Sequence, residues 1–256
     1  MKDFIKNLIA NKAELIELKK AEKKFTNGLN TVLIGEHKTA KGLYSNSDTS
    51  LKRTIVGNTY LFMDSHDDVH SKGVFTKSIK ERQDKIFHLH DHEFKITSKV
   101  GEPFKVYEDS ISWKDLGVNA NGTTEALFMD TEIIKDYNAQ IYNEYKANKI
   151  NQHSVGMQYV KIDLAVNDED YKEEYKLWQD TIDTIGNKDY AESKGYYWYV
   201  REAKLIEISA VLLGSNELTP TLGETKIEPS QDTQTEKADL ITFDIAKAIN
   251  NLTFNI

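Results

Sequence analysis

The chain has no cysteine. That excludes disulfides, thiolate zinc sites and a cysteine nucleophile, and it suits a reducing compartment. It also has no long basic run: 33 Lys and Arg stand against 41 Asp and Glu, a net charge of -8. Binding nucleic acid by phosphate neutralisation therefore has no footprint here. Long hydrophobic runs are missing too. Met1 to Phe25 alternates Lys and Glu with Leu and Ile, so it reads as neither a signal peptide nor a membrane span. The expectation is a soluble protein made in a cytoplasm, with no nucleic-acid or membrane partner.

What is present suits one large domain with appendages. The 256 residues are 39% hydrophobic, enough for a core, and 29% charged, which leaves a very polar surface. Residues 3–24 read as an amphipathic helix, with Ile5, Leu8, Ile9, Leu15, Ile16 and Leu18 at roughly helical spacing. Thr26-Asn27-Gly28 breaks it. Beyond the break, Asn30 to Gly35 and Ile55 to Met63 read as buried strands, and Thr39 to Lys52 as a loop between them.

Residues 64–70 hold Asp64, Asp67, Asp68, His66 and His70. Carboxylate and imidazole are both metal ligands, but a polar turn that aims Val74-Phe75 into the core is the simpler reading. Next comes Phe87-His88-Leu89-His90-Asp91-His92. If the strand continues, period-2 alternation puts His88, His90 and His92 on one face. One of them is then a general base, or the three together hold a metal.

Residues 96–120 read as short antiparallel strands, Thr124 to Met129 as another strand, and 131–147 as a helix capped by Asp130 or Thr131. Residues 154–165 read as a strand that puts Ser154 and Gly156 on one face and Val155 and Met157 on the other; His153 then points away from Ser154. Glycine leaves that face open beside the serine hydroxyl. Tyr171, Tyr175, Trp178, Ile182 and Ile185 mark a helix after Asn167, an excursion at about 164–196 inserted between two strands. In Lys204 to Leu213, Glu207 is a carboxylate inside an apolar run, and a buried charge of that kind needs a partner. Residues 223–238 have the composition of a linker, and 239–252 read as a short amphipathic helix.

Taken in order, Asp64, Asp68-Val69, Gly73-Val74-Phe75, Ser78-Ile79, His90-Asp91, Ser154-Val155-Gly156-Met157 and Leu205-Ile206-Glu207-Ile208-Ser209-Ala210-Val211 form a series. That series resembles the prohead (capsid maturation) proteases of tailed phages, which are similar in fold to the herpesvirus assemblin proteases. The resemblance covers about residues 30–222. It implies an α+β fold, a small and mostly antiparallel β-barrel flanked by helices. The domain would run over 29–222, with a helical segment at 1–28, a linker at 223–238 and a tail at 239–256. It implies Ser154 as nucleophile, His90 as base and Glu207 as third member, with no cofactor. Herpesvirus relatives use a histidine as third member, which leaves His88, His92 and His153 in competition for that place. Substrates would be the phage scaffold, the scaffolding segment of the major capsid protein and the protease itself. A homodimer is one expectation for assembly. The location would be the host cytoplasm, inside the assembling prohead.

Two other readings stand beside this one. A metal-dependent hydrolase would use His88, His90 and His92 with Asp64, Asp67 or Asp68. A non-enzymatic acidic scaffold protein would dimerise through its terminal helices.

Overall fold

The structure, a computed structural model, describes residues 2–21, 23–24 and 42–222. The strand expected at Asn30 to Gly35, the linker and the C-terminal amphipathic segment lie outside those residues.

Chain order starts with α1 (Lys2–Ala10) and α2 (Lys12–Ala21), then β1 (Lys23–Lys24), β2 (Tyr44–Asn46), β3 (Ser50–Thr59) and β4 (Asp68–His70). There follow α3 (Thr76–Arg82), β5 (Phe87–His90), β6 (Lys99–Ser112), β7 (Thr123–Ile134), α4 (Ala139–Lys146) and β8 (His153–Val166). The described chain ends with α5 (Lys172–Thr181), α6 (Lys188–Lys194), β9 (Tyr196–Ala210) and β10 (Thr221–Leu222). The class is α+β, as expected.

The sheet is not the expected barrel. Its strands run β1-β8-β9-β5-β6-β7-β3-β10, with β2 also on β3 and β4 also on β9. Most pairings are antiparallel, but β4 and β5 both run parallel to β9. The ladder stays open because β3 and β8 approach without pairing. Side chains bridge that seam instead. The Thr219 hydroxyl accepts the His153 N–H (3.0 Å) and donates to the His153 carbonyl (2.7 Å). The sheet still folds over one core, in which Leu51, Ile55 and Met129 from one limb pack in the same cluster as Val155, Leu205 and Ile208 from the other. Gly57 marks the close approach of the limbs, since a Cβ there would stand 2.7 Å from Ile208 Cδ1.

Several local expectations give way to tertiary pairing. Residues 131–134 are strand, because β7 is held on both sides, by β3 (Ile133 opposite Leu51) and by β6 (Ile133 opposite Gly101). The helix starts only at Ala139, capped by the Asn138 side chain, which accepts the Ile141 N–H at 3.0 Å. Residues 96–120 hold one 14-residue strand rather than several short ones, since β7 pairs along nearly its whole length. The first helix is broken at Asn11 into two. The expected loop before Lys52 contains β2 and the start of β3. Other readings hold. Val74 and Phe75 plug the core at 1% and 0% exposure. The excursion carries α5 and α6 between β8 and β9, and Trp178 packs on Tyr197 with ring centroids 5.1 Å apart.

Candidate functional site

Strand β9 lies between the two stretches that the sequence singled out. On one side, antiparallel β8 sets Ser154 opposite Ser209 and Gly156 opposite Glu207. On the other, parallel β5 sets Leu89 beside Ser209 and His90 beside Ala210. Directly opposed residues share a face. Ser154, Ser209 and Glu207 therefore lie on one face, with Gly156 leaving room beside the carboxylate.

The strand containing the histidines ends at His90. Asp91 and His92 both take left-handed backbone, with φ of 51° and 56°, a conformation uncommon outside Gly, Asn, Asp and His. The turn swings the His92 ring back over β9. His92 Nδ1 lies 2.6 Å from Glu207 Oε1, and the Ser209 hydroxyl donates to Glu207 Oε2 at 2.6 Å. The same hydroxyl accepts the His92 backbone N–H at 3.1 Å. His92, Glu207 and Ser209 are all buried, at 7%, 0% and 0% exposure.

Part of the donor order in this ring is fixed: a backbone N–H can only donate, so the Ser209 oxygen accepts from it and the Ser209 proton points to Glu207. With Glu207 as a carboxylate, which only accepts, the proton in the short contact sits on His92 Nδ1. Nε2 is then the basic nitrogen. Ser154, 6% exposed, sits across the ladder from Ser209, and its hydroxyl makes no hydrogen bond to the described residues.

His90 is not brought to this group. Its Nδ1 faces the exposed carboxylate of Asp91 at 3.1 Å. The expected one-face array of His88, His90 and His92 is also absent, because the two left-handed residues end the alternation. His88 turns into the core. Its Nδ1 lies 3.2 Å from Thr131 Oγ1 and its Nε2 3.1 Å from Tyr145 Oη. Tyr145 Oη lies 2.9 Å from His153 Nε2, and His153 Nδ1 lies 2.7 Å from the Thr219 carbonyl. That carbonyl only accepts, so His153 carries its proton on Nδ1. Tyr145 then donates to His153 and accepts from His88, and Thr131 donates to His88. Every polar atom of the chain is satisfied in one arrangement. The chain runs beneath β9 and joins β5 to β8 on the face opposite Ser154. Burial pushes His88 down to about 3, with His153 adding to the shift, and pushes His153 down to about 4 against the pull of the Thr219 carbonyl.

A second buried polar group lies at the start of β4. Asp64, His66 and Asp68 are the one set of three ligand-type side chains among the described residues whose ligand atoms fall within 4.8 Å of one another. Protein groups already serve it. The Lys19 ammonium sits 2.5 Å from Asp68 Oδ1, Tyr159 donates to Asp68 Oδ2 at 2.6 Å, and Asp64 Oδ1 accepts the N–H groups of His66 and Asp68. Burial, then the neighbouring Asp68, raises Asp64 to about 7. Burial lowers His70 to about 4, although Asp68 pulls the other way. Beside this group opens a cavity of about 620 Å³ lined by Phe62, Met63, Asp64, Val118, Tyr190 and Leu218 among others; none of the Ser154 group lines it.

Sequence reasoning missed Ser209. Its signal was the i, i+2 spacing from Glu207 on a strand, which puts hydroxyl and carboxylate on one face. Comparison with protein-family models, with curated proteins and with solved structures gives no match.

Proposed function

We propose that the chain is a serine endopeptidase of phage head maturation, with Ser154 as nucleophile, His92 as general base and Glu207 as the carboxylate that orients it. His92 takes the place that sequence order assigned to His90, because the turn at Asp91 and His92 carries the later ring to Glu207. The observation that carries the reading is the His92 Nδ1 contact to Glu207 at 2.6 Å, on the face that Ser154 occupies. A carboxylate on Nδ1 holds the tautomer whose Nε2 can take the serine proton, and it stabilises the imidazolium that results. Ser154 Oγ would attack the scissile carbonyl as its proton passes to His92. The imidazolium would then protonate the leaving amine, and water would release the acyl group by the same route in reverse.

The phage setting rests on the order of the short motifs, and so does kinship with the herpesvirus assemblin proteases. In this reading the substrates are scaffold, the scaffolding segment of the major capsid protein, and the chain itself within 223–238. The enzyme works inside the assembling prohead, as a homodimer or alone. No helix among the described residues is long and apolar enough to cross a membrane.

The test is co-expression with the neighbouring capsid and scaffold proteins, wild type against Ser154→Ala, read by intact-mass spectrometry. Shortened partners and a shortened enzyme with wild type only are expected. Identical masses in both arms, with normal assembly, would replace this reading with that of a non-enzymatic scaffold protein.

A further inference from the structure

The Ser209 hydroxyl closes a ring with the Glu207–His92 contact, from the other carboxylate oxygen to the His92 backbone. One hydroxyl both donates to Glu207 Oε2 at 2.6 Å and accepts the His92 backbone N–H at 3.1 Å. We propose that Ser209 is a positioning residue for the reaction: it holds the Glu207 carboxylate rotated toward His92, and it helps to fix the left-handed turn that carries the imidazole. This rests on the reading of Ser154 as nucleophile.

Glu207 is fully buried, out of reach of bulk solvent. It has two donors, His92 Nδ1–H and Ser209 O–H, one on each oxygen. Hydrogen bonds to the charged form favour that form. With Ser209 removed, Oε2 faces the protein without its donor, and a proton on the carboxyl becomes the cheaper solution. A protonated Glu207 would donate to His92 Nδ1 and so force the proton onto Nε2, the tautomer that cannot accept from serine. Ser209 also acts on the backbone. His92 is held at φ 56°, and the turn would lose one of the two bonds that tie it to β9, the other being Asp91 N–H to the Ala210 carbonyl at 2.9 Å. The titratable group in contact with Glu207 is His92; the His90–Asp91 pair lies three to four positions along the chain from Phe87, the residue beside Glu207. From β8, Ser154 and Gly156 face it without charge.

The experiment measures the rate at which a fluorophosphonate labels Ser154 across pH, in wild type, Ser209→Ala and Ser209→Thr, with Ser154→Ala as blank. In labelling, a bond forms from Ser154 Oγ to phosphorus, the P–F bond breaks, and the serine proton leaves with fluoride through His92. Ser209→Ala is expected to slow labelling at neutral pH by about ten- to a hundredfold, the equilibrium factor of one hydrogen bond to a charged group. Its acid limb should move to higher pH, so that much of the rate returns in alkali. Thr retains the hydroxyl and should restore the wild-type profile. Ala labelling within about twofold of wild type at all pH overturns the proposal, as does a uniform loss with an unmoved limb. If wild type itself does not label, the endopeptidase reading fails and the imidazole ¹⁵N shifts of His92 decide the role of Ser209. A wild-type Nδ1–H tautomer that persists in Ser209→Ala refutes it; conversion toward Nε2–H supports it.

Discussion

Acidification should destabilise this protein, because three buried histidines must charge. His70, His88 and His153 fall from the ordinary 6.5 to about 4, 3 and 4, each chiefly through burial. A histidine lowered in the folded state adds stability that is fully present above its unfolded value. That stability is lost as pH falls toward the folded value, since the unfolded chain binds the proton first. Asp64 works in the opposite sense. Raised to about 7, it holds a proton in the folded state that the unfolded chain releases, so acid favours folding at that site. The unfolded histidines are half-charged at pH 6.5 and almost fully charged near pH 5.5, while the folded state keeps one proton on Asp64, so the net difference grows to about two protons between pH 6 and 5. Stability should then fall by about 2 kcal/mol per pH unit there, and by about 3 kcal/mol from pH 6.5 to 5. Domains commonly hold only about 5–15 kcal/mol in all. The assay is urea unfolding at half-unit steps from pH 7 to 5, followed by tryptophan fluorescence. His70 sits between the rings of Phe75 and Tyr159, with centroids at 6.4 and 6.1 Å, and neither ring nitrogen has a hydrogen bond among the described residues. His70→Phe should therefore fold and should halve the slope between pH 6 and 5, to about 1 kcal/mol per unit. A wild-type slope below about 1 kcal/mol per unit between pH 6 and 5, or stability that rises on acidification there, would refute the reasoning.

Other outcomes follow from the same geometry. Tyr145→Phe leaves the His88 Nε2–H and the His153 Nε2 without their shared partner, so it should cost about 2–5 kcal/mol in urea unfolding at neutral pH; a cost under about 0.5 kcal/mol would disprove the buried chain. His92→Ala should slow fluorophosphonate labelling of Ser154 by about 10²–10⁴-fold, as loss of a general base does, while His90→Ala leaves it near wild type. The reverse ranking would return the base to His90. Labelling should survive exhaustive chelation, since His88 is committed to Thr131 and Tyr145 and His92 to Glu207. Activity that is lost to chelator and restored by zinc or manganese would favour the metal-dependent hydrolase.

Much of the architecture was legible in residue patterns. The strand at Ser154, the helix under Trp178 and the burial of Val74-Phe75 all follow from periodicity that water imposes on any chain with one buried face. The need of Glu207 for a partner also follows from its apolar neighbours, because the cost of a buried charge does not depend on the fold. Local pattern failed where long-range pairing outweighed it. Thr131 to Ile134 carry apolar residues that suit a helix, yet β3 and β6 hold them in strand from both sides. The seam at Thr219, which leaves the sheet open, depends on a residue 66 positions from His153.

For the site, the sequence by itself singled out a serine beside a glycine on a strand, a cluster of histidines and a lone carboxylate as the candidate groups. Which histidine meets the carboxylate was decided only in three dimensions. His90 and His92 have nearly the same local surroundings in the chain. They are told apart by the left-handed backbone of Asp91 and of His92 itself at the end of β5 and by the parallel register of β5 on β9, which brings His92 to a carboxylate 115 positions away. Backbone handedness and strand register are set by the whole packed sheet, and no short stretch of sequence contains them.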